Sequence, residues 1–188
     1  MSFERAHAFT SKWEGGLVDH PADPGGITNY GISFRFLVDY AKNNVEFLHF
    51  IKVLNEDQQL PTADTIRKLT KEQATLIYKK AFWFGARCDR MPELVAITHY
   101  DFAVNAGVAQ AARTLQRVVG AKVDGVVGSQ TLGILDNACD EIGAYQVASD
   151  LCDARKKFYE DLVEKKPSSK VFLSGWMNRI KALRKYLA

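Results

Sequence analysis

Hydrophobic residues recur every three to four positions along most of the chain, the spacing of one buried face of an α-helix. The first run consists of Phe3, Ala6, Phe9 and Trp13. It predicts an amphipathic helix over residues 3–14, capped by Ser2 and closed by Gly15 in the left-handed conformation. One carboxylate, that of Glu14, then lies in the last helical turn.

The rest of the chain shows the same periodicity, punctuated by helix start and stop signals. Helices are predicted from Ser33 to about Asn44, over 62–69, from the capping box of Thr70 and Gln73 to about Phe84, from Pro92 to Gly107, around Leu115, from Ser129, over 141–164 and from Gly175. Residues 45–54 form an apolar segment for which a helix is favoured, and a buried strand is the alternative that periodicity does not exclude. The alternation that a large sheet needs is missing. A segment rich in proline and glycine, residues 21–31, suits a tight turn and a short hairpin. We therefore predict a mainly α fold with one short β-hairpin after the first helix.

The helix after Pro92 is apolar around most of its circumference, which is typical of a central buried helix. Asp101 and Asn105 lie four residues apart and share one face of it. A buried charge and a buried amide are unfavourable without partners, so we expect them to hydrogen-bond each other, a helix end or a cleft floor. His99, on the same helix, is expected to be a hydrogen-bonded core residue.

Glu14 is the candidate for chemistry. A carboxylate at a helix C-terminus faces the negative end of the helix dipole, and Trp13 would exclude water from it. Both effects favour the protonated form, so we expect the pKa of Glu14 to be raised. A carboxyl group that keeps its proton near neutral pH can act as a general acid on a glycosidic oxygen. The simpler alternative is an exposed glutamate at a helix end.

The turn-rich segment holds further polar groups that such chemistry requires. Asp19 or Asp23 can face Glu14 across a cleft, and Thr28 and Asn29 can position a sugar or a water. A carboxylate separation of about 6.5–9.5 Å leaves room for water and favours inversion, whereas about 5–5.5 Å favours a covalent intermediate. The length of the turn favours inversion or a mechanism with a single catalytic acid. The alternative interpretation of the proline- and glycine-rich segment is an ordinary surface loop.

Composition limits the other classes of function. The chain of 188 residues with 47% hydrophobic content predicts one domain or two closely packed subdomains. A net charge of +3 is too weak to predict nucleic-acid binding. Three cysteines without paired spacing and four scattered histidines predict reduced thiols, no metal site and no cofactor. We expect no signal peptide and no stable membrane insertion, so synthesis is expected in the cytoplasm.

The run from Glu14 through Asp19, Asp23 and Thr28 to Ile32 resembles the signature of the glycoside hydrolase family 108 N-acetylmuramidases. These are phage-type lysozymes, some of them labelled secretion activator proteins. The resemblance implies a lysozyme-like helical fold with Glu14 as the catalytic acid. A more distant similarity to phage T4-type lysozymes places Asp23 and Thr28 in the second role. Asp19, Thr28, Asn29, Tyr30, Asp101 and Asn105 are then the candidate substrate-binding residues. For Asp101 and Asn105, structural scaffolding is the favoured alternative.

Leu115-Gln116, Asp124-Gly125, Gly128 and Thr131 resemble the signature of small helical peptidoglycan-binding modules. The resemblances together imply a catalytic region over residues 1–95 and a wall-binding region over 96–188, packed as one unit. The implied substrate is the glycan strand of peptidoglycan, cut at the β-1,4 bond between N-acetylmuramic acid and N-acetylglucosamine.

Action in the periplasm or outside the cell would require a holin or an export partner, and we expect a monomer. Two alternatives remain open. One is a lytic transglycosylase on the same fold, and the other is a non-catalytic wall-binding protein that assists secretion. The biological task, lysis or local wall opening for secretion, is also left open.

Overall fold

The fold of this computed structural model is described for residues 2–15, 26–54 and 61–188. Its helices and strands are α1 (Ser2–Thr10), a 3₁₀ turn (Ser11–Trp13), β1 (Thr28–Asn29), β2 (Ile32–Ser33), α2 (Phe34–Asn43), α3 (Val45–Leu54), α4 (Ala63–Arg67), α5 (Lys71–Tyr78), a π-helical segment (Lys79–Phe84), a 3₁₀ turn (Cys88–Arg90), α6 (Glu93–Ala106), α7 (Val108–Val119), α8 (Ser129–Ile142), α9 (Ala144–Lys165), a 3₁₀ turn (Pro167–Ser169) and α10 (Lys170–Leu187). The predicted fold class, mainly α with one short hairpin, is confirmed.

Local capping signals account for several helix starts. The Ser33 side chain accepts a hydrogen bond from the Phe36 backbone N–H at 3.2 Å and begins α2. Thr70 and Gln73 form the predicted capping box of α5. Two boundaries predicted for the C-terminal helices were wrong. The helix expected over 141–164 is divided at Gly143, where φ is +87°, and α10 begins at Lys170 rather than at Gly175.

The chain divides into two compact units. One contains residues 11–81, with the hairpin and α2 to α5. The other contains residues 1–10 and 82–188, with α1 and α6 to α10. Helix α6 is the centre of the second unit, because α1, α7 and α9 all pack against it. Its Val95, Ala96 and Ile97 are completely buried, which confirms α6 as the central buried helix.

A buried charge cluster joins four helices of this second unit. Asp101 on α6 is fully buried, and Arg155 on α9 donates to its Oδ2 at 2.6 Å. Arg179 on α10 donates through Nε to Oδ2 at 3.0 Å and through Nη2 to Oδ1 at 2.8 Å. The hydroxyl of Thr10, the last residue of α1, donates to Oδ1 at 2.9 Å. One carboxylate thus holds α1, α6, α9 and α10.

The two arginines keep Asp101 ionised in spite of its burial. Desolvation alone would raise the pKa of this carboxyl, but the charges and hydrogen bonds of Arg155 and Arg179 outweigh it and lower the pKa below its usual value. The guanidinium of Arg155 also lies over the Phe102 ring, 5.1 Å from its centroid. Asn105, one turn beyond Asp101, accepts a hydrogen bond from the Tyr159 hydroxyl.

His99 lies in the same core but is poorly partnered. It is 2% exposed, and neither ring nitrogen makes a hydrogen bond of standard geometry within the described residues. Burial lowers the pKa of His99 to about 4, and the backbone of Ala86 acts in the opposite direction. The expectation of a core histidine is confirmed, and its polar partner is the Ala86 backbone, at a geometry outside the standard hydrogen-bond range. The folded state therefore favours the neutral imidazole.

We expect Asp101→Asn to lower the free energy of unfolding by about 3–5 kcal/mol, because it leaves two buried guanidinium groups without a counter-charge. Thr10→Val removes one hydrogen bond to the same carboxylate and should lower it by only about 1 kcal/mol. Urea unfolding of both variants at neutral pH measures the difference. A loss below about 1 kcal/mol for Asp101→Asn would contradict the central role of the cluster.

We expect the stability of the wild type to fall as pH is lowered from 6.5 towards 4. The unfolded state binds a proton at His99 near pH 6.5, whereas the folded state resists protonation down to about pH 4. At 1.36 kcal/mol per pKa unit, the loss approaches about 3 kcal/mol. The His99→Gln variant stays neutral and should lack this part of the slope. Parallel stability curves for the two proteins between pH 7 and 4.5 would refute the assignment.

Candidate active site at the end of the first helix

Glu14 follows the first helix at a short distance rather than ending it. α1 stops at Thr10, the 3₁₀ turn of residues 11–13 follows, and the Glu14 N–H donates to the Ser11 carbonyl at 3.4 Å. The prediction of one α-helix through residue 14 was therefore wrong by a turn, and Gly15 does not adopt a positive φ. Glu14 is half-buried and Trp13 is 38% exposed.

The predicted hairpin lies beside Glu14. β1 and β2 pair antiparallel, with Asn29 opposite Ile32, so that Tyr30 and Gly31 form a two-residue loop. Both loop residues have positive φ, 49° for Tyr30 and 75° for Gly31, which is the backbone of a type I′ turn. This turn matches the twist of paired strands and requires glycine or a tolerant residue at each position. The two-residue loop therefore forms a compact edge of the hairpin at which backbone atoms are close to neighbouring side chains.

Gly31, Tyr78 and Glu14 meet at this edge. A Cβ placed on Gly31 would overlap the Tyr78 hydroxyl and would lie 2.9 Å from Glu14 Cβ and 3.0 Å from Glu14 Oε2. The Tyr78 hydroxyl itself donates to the Tyr30 carbonyl at 3.0 Å. The absence of a side chain at Gly31 thus makes room for the carboxylate, and Tyr78 on α5 supports the turn that borders it.

Tyr78 is a core residue that is only 3% exposed. Its proximity to Glu14 was not predicted from the sequence. The sequence indicated only that Tyr78 has a polar partner, because a tyrosine on the apolar face of a helix carries a hydroxyl that must form a hydrogen bond. Helical spacing alone does not identify that partner, which lies 48 residues earlier in the chain.

The three candidate binding residues of the hairpin have different surroundings. Asn29 is 7% exposed, and its amide nitrogen donates to the carbonyls of Ile66 at 3.0 Å and Leu69 at 3.4 Å. Thr28 is half-buried and donates to the Gly26 carbonyl at 3.4 Å. Tyr30 is 39% exposed. Asn29 thus ties the hairpin to the end of α4, and the exposed ring of Tyr30 is the most accessible of the three side chains.

Asp19 and Asp23, the candidates for the second carboxylate, lie outside the described residues. Asp101 and Asn105 belong to the core of the other unit, in the contacts given above. Those contacts are what the scaffolding alternative requires. The roles of all these residues in catalysis or sugar binding stay predictions, as does the raised pKa of Glu14.

Other kinds of site find little support in the described part of the chain. No group of three or more histidine, cysteine, aspartate or glutamate residues there is arranged to hold a metal ion. Cys88, Cys139 and Cys152 are free thiols, and burial raises the pKa of each. None of the described helices combines the length and apolar character needed to cross a membrane.

The residues that resemble a peptidoglycan-binding signature form a hydrogen-bonded turn. Gln116 is fully buried, and its amide nitrogen donates to Asp124 Oδ1 at 2.8 Å, to the Val126 carbonyl at 3.0 Å and to the Thr131 hydroxyl at 3.3 Å. Its amide oxygen accepts the backbone N–H groups of Asp124 at 3.1 Å and Gly125 at 2.9 Å. These signature residues therefore shape the connection between α7 and α8.

Two family models match the chain. The glycosyl hydrolase 108 model matches residues 7–107, and a model described as a predicted peptidoglycan domain matches residues 110–181. Among solved structures, that of SagA from Brucella abortus is similar, with a TM-score of 0.71 and 32% sequence identity over 98% of this chain and 92% of the other. No curated protein matches the sequence. The fold is accordingly mainly α and lysozyme-like.

We expect Gly31→Ala to reduce glycan turnover by roughly a hundredfold, because the new methyl group displaces the Glu14 carboxylate or the Tyr78 hydroxyl. Gly120→Ala is the matched control. Its φ of +74° imposes the same backbone strain, but nothing lies within 4 Å of its Cβ. Both variants should lose about 1 kcal/mol of stability through backbone strain, and Gly31→Ala should lose more because its methyl group overlaps the Tyr78 hydroxyl. Equal turnover of soluble glycan oligomers by the two variants would contradict the close approach at Gly31.

Proposed function

Since the chain belongs to the glycosyl hydrolase 108 family, we propose that it is an N-acetylmuramidase that cleaves the β-1,4 bond between N-acetylmuramic acid and N-acetylglucosamine. Family membership supports a glycoside hydrolase activity, and the match over residues 110–181 supports peptidoglycan as the polymer. The particular bond, the catalytic residue and the biological task belong to the proposal.

The position of Glu14 is the observation that carries the proposal. A general acid must be held where it can reach the leaving oxygen, and its carboxyl group must keep a proton. Glu14 is half-buried, follows directly on a 3₁₀ turn, and lies against a type I′ turn whose glycine leaves space for one of its oxygens. This packing restricts the rotamers of Glu14 while leaving part of the side chain accessible.

The remaining roles follow the sequence predictions. Asp23 is proposed as the second catalytic group, which activates a water or stabilises the positive charge that develops on the sugar ring. Asp19, Thr28, Asn29 and Tyr30 are proposed to bind substrate. Tyr30 is the best placed of these residues, because it belongs to the turn that contacts Glu14 and its exposed aromatic ring can stack on a sugar. Asp101 and Asn105 are proposed to act indirectly, by holding the helices of their unit in place.

The two functional regions are proposed to share helix α6. A catalytic region over residues 1–95 and a wall-binding region over 96–188 meet within α6, which packs against α1 as well as α7 and α9. The protein is proposed to act as a monomer on the wall, in the periplasm or outside the cell, after passage through a holin or an export partner. Lysis and secretion are both consistent with such an enzyme.

We expect wild-type protein to release muropeptides with reducing ends from purified peptidoglycan, and Glu14→Gln to lose at least a hundredfold of this activity. The substitution keeps the size of the side chain and removes the transferable proton. Glu72→Gln, an exposed change on α5 in the same unit, is the matched control and should leave activity unchanged.

The products separate the alternatives. Anhydro sugars in place of reducing ends would indicate a lytic transglycosylase, in which no water is consumed. Full lytic activity of folded Glu14→Gln would remove the catalytic assignment. Wall binding by the wild type without any released product would indicate the non-catalytic accessory protein.

A further inference from the structure

A groove with a volume of about 490 Å³ runs between α7 and α9. Its walls come from Gln110, Thr114 and Arg117 on α7 and from residues at the helical spacing 154, 157, 158, 161, 162 and 165 on α9. The lining residues therefore come from one face of each of the two helices. It lies within the part of the chain that matches the peptidoglycan domain.

The groove has an apolar floor and a cationic rim. Ala154, Phe158 and Leu162 are half-buried along its base. The rim carries three cations and a single carboxylate, Asp161, which pairs with Lys157 at 3.1 Å. That pair is charge-balanced, so the excess positive charge comes from the other two cations.

Arg117 and Lys165 supply that excess. Both side chains are exposed, and neither forms an ion pair with any residue in the described ranges. They are available to an anionic ligand that enters the groove, and the apolar floor between the helices offers contact to small aliphatic groups.

The length of the groove limits the ligand further. Residues 154 to 165 of α9 span roughly 16 Å at 1.5 Å per residue. An extended peptide of five residues spans about 16–18 Å. A short peptide with free carboxylates and small apolar side chains therefore fits the groove in length, charge and polarity.

We propose that this groove binds the stem peptide of peptidoglycan. The stem peptide combines free carboxylates with alanine methyl groups, so that Arg117 and Lys165 bind carboxylates while the methyl groups contact Phe158 and Leu162. This assignment rests on the proposed function only in taking peptidoglycan as the polymer, and it needs no particular mechanism at Glu14. The Gln116 turn shapes the module, and the groove makes the contact with the wall.

The test measures binding of the full chain to purified sacculi in the Glu14→Gln background, which keeps the polymer intact. Arg117→Gln combined with Lys165→Gln is expected to weaken binding roughly tenfold or more and to reduce its dependence on salt. Lys181→Gln combined with Lys185→Gln is the matched control, since it removes the same charge from exposed positions of α10. Thermal unfolding of each protein verifies that the variants are folded.

A second arm identifies the ligand. Sacculi treated with an amidase keep their glycan strands but lose the stem peptides, and free stem peptide can be added as a competitor. Strong binding to intact sacculi, weak binding to stripped glycan and competition by the peptide are expected. Unchanged binding of the Arg117 and Lys165 variant, equal loss in the control, or equal binding to stripped glycan would each overturn the proposal. Because catalysis is absent from this assay, failure here leaves the muramidase test of Glu14 independent.

Discussion

The ion pairs of the buried Asp101 carboxylate with Arg155 and Arg179 are the interaction on which the larger unit depends. An unpaired carboxylate in a protein core is strongly unfavourable, and a paired one is stable only if its partners are held in place. Here the partners come from α9 and α10, and Arg179 reaches both carboxylate oxygens. These requirements fix the rotation of each helix about its own axis, which nonspecific apolar packing would leave less well defined.

The same carboxylate also fixes the point at which the chain leaves α1. Thr10 donates its hydroxyl to Asp101, and the chain changes from an α-helix to a 3₁₀ turn at the next residue. Within residues 11–81, the carboxylate of Glu14 then lies against the turn at Gly31. Glu14 is thus constrained by the hydrogen bond of its N–H to the Ser11 carbonyl and by its contact with the Gly31 turn, which suits the proton-donating role proposed for it.

Features set by neighbouring residues could be predicted from the sequence, and features set by distant contacts could not. The cap at Ser33 and the short hairpin depend on local chemistry, and the structure contains both. The sequence also showed that Asp101 needed partners, but Arg155 and Arg179 lie 54 and 78 residues away. The change to a 3₁₀ turn before Glu14 likewise depends on packing that periodicity does not encode.

The wall-binding signature shows why a motif can identify a family without identifying a contact. Gln116 uses its amide nitrogen and oxygen on the adjacent turn and is completely buried, so it has no accessible surface for a ligand. Buried polar groups of this kind are restricted because any change leaves a partner unsatisfied. Exposed cations such as Arg117 and Lys165 carry no such structural restriction. The charge of the groove can therefore be changed without disturbing the fold, whereas a change at Gln116 would disturb the turn.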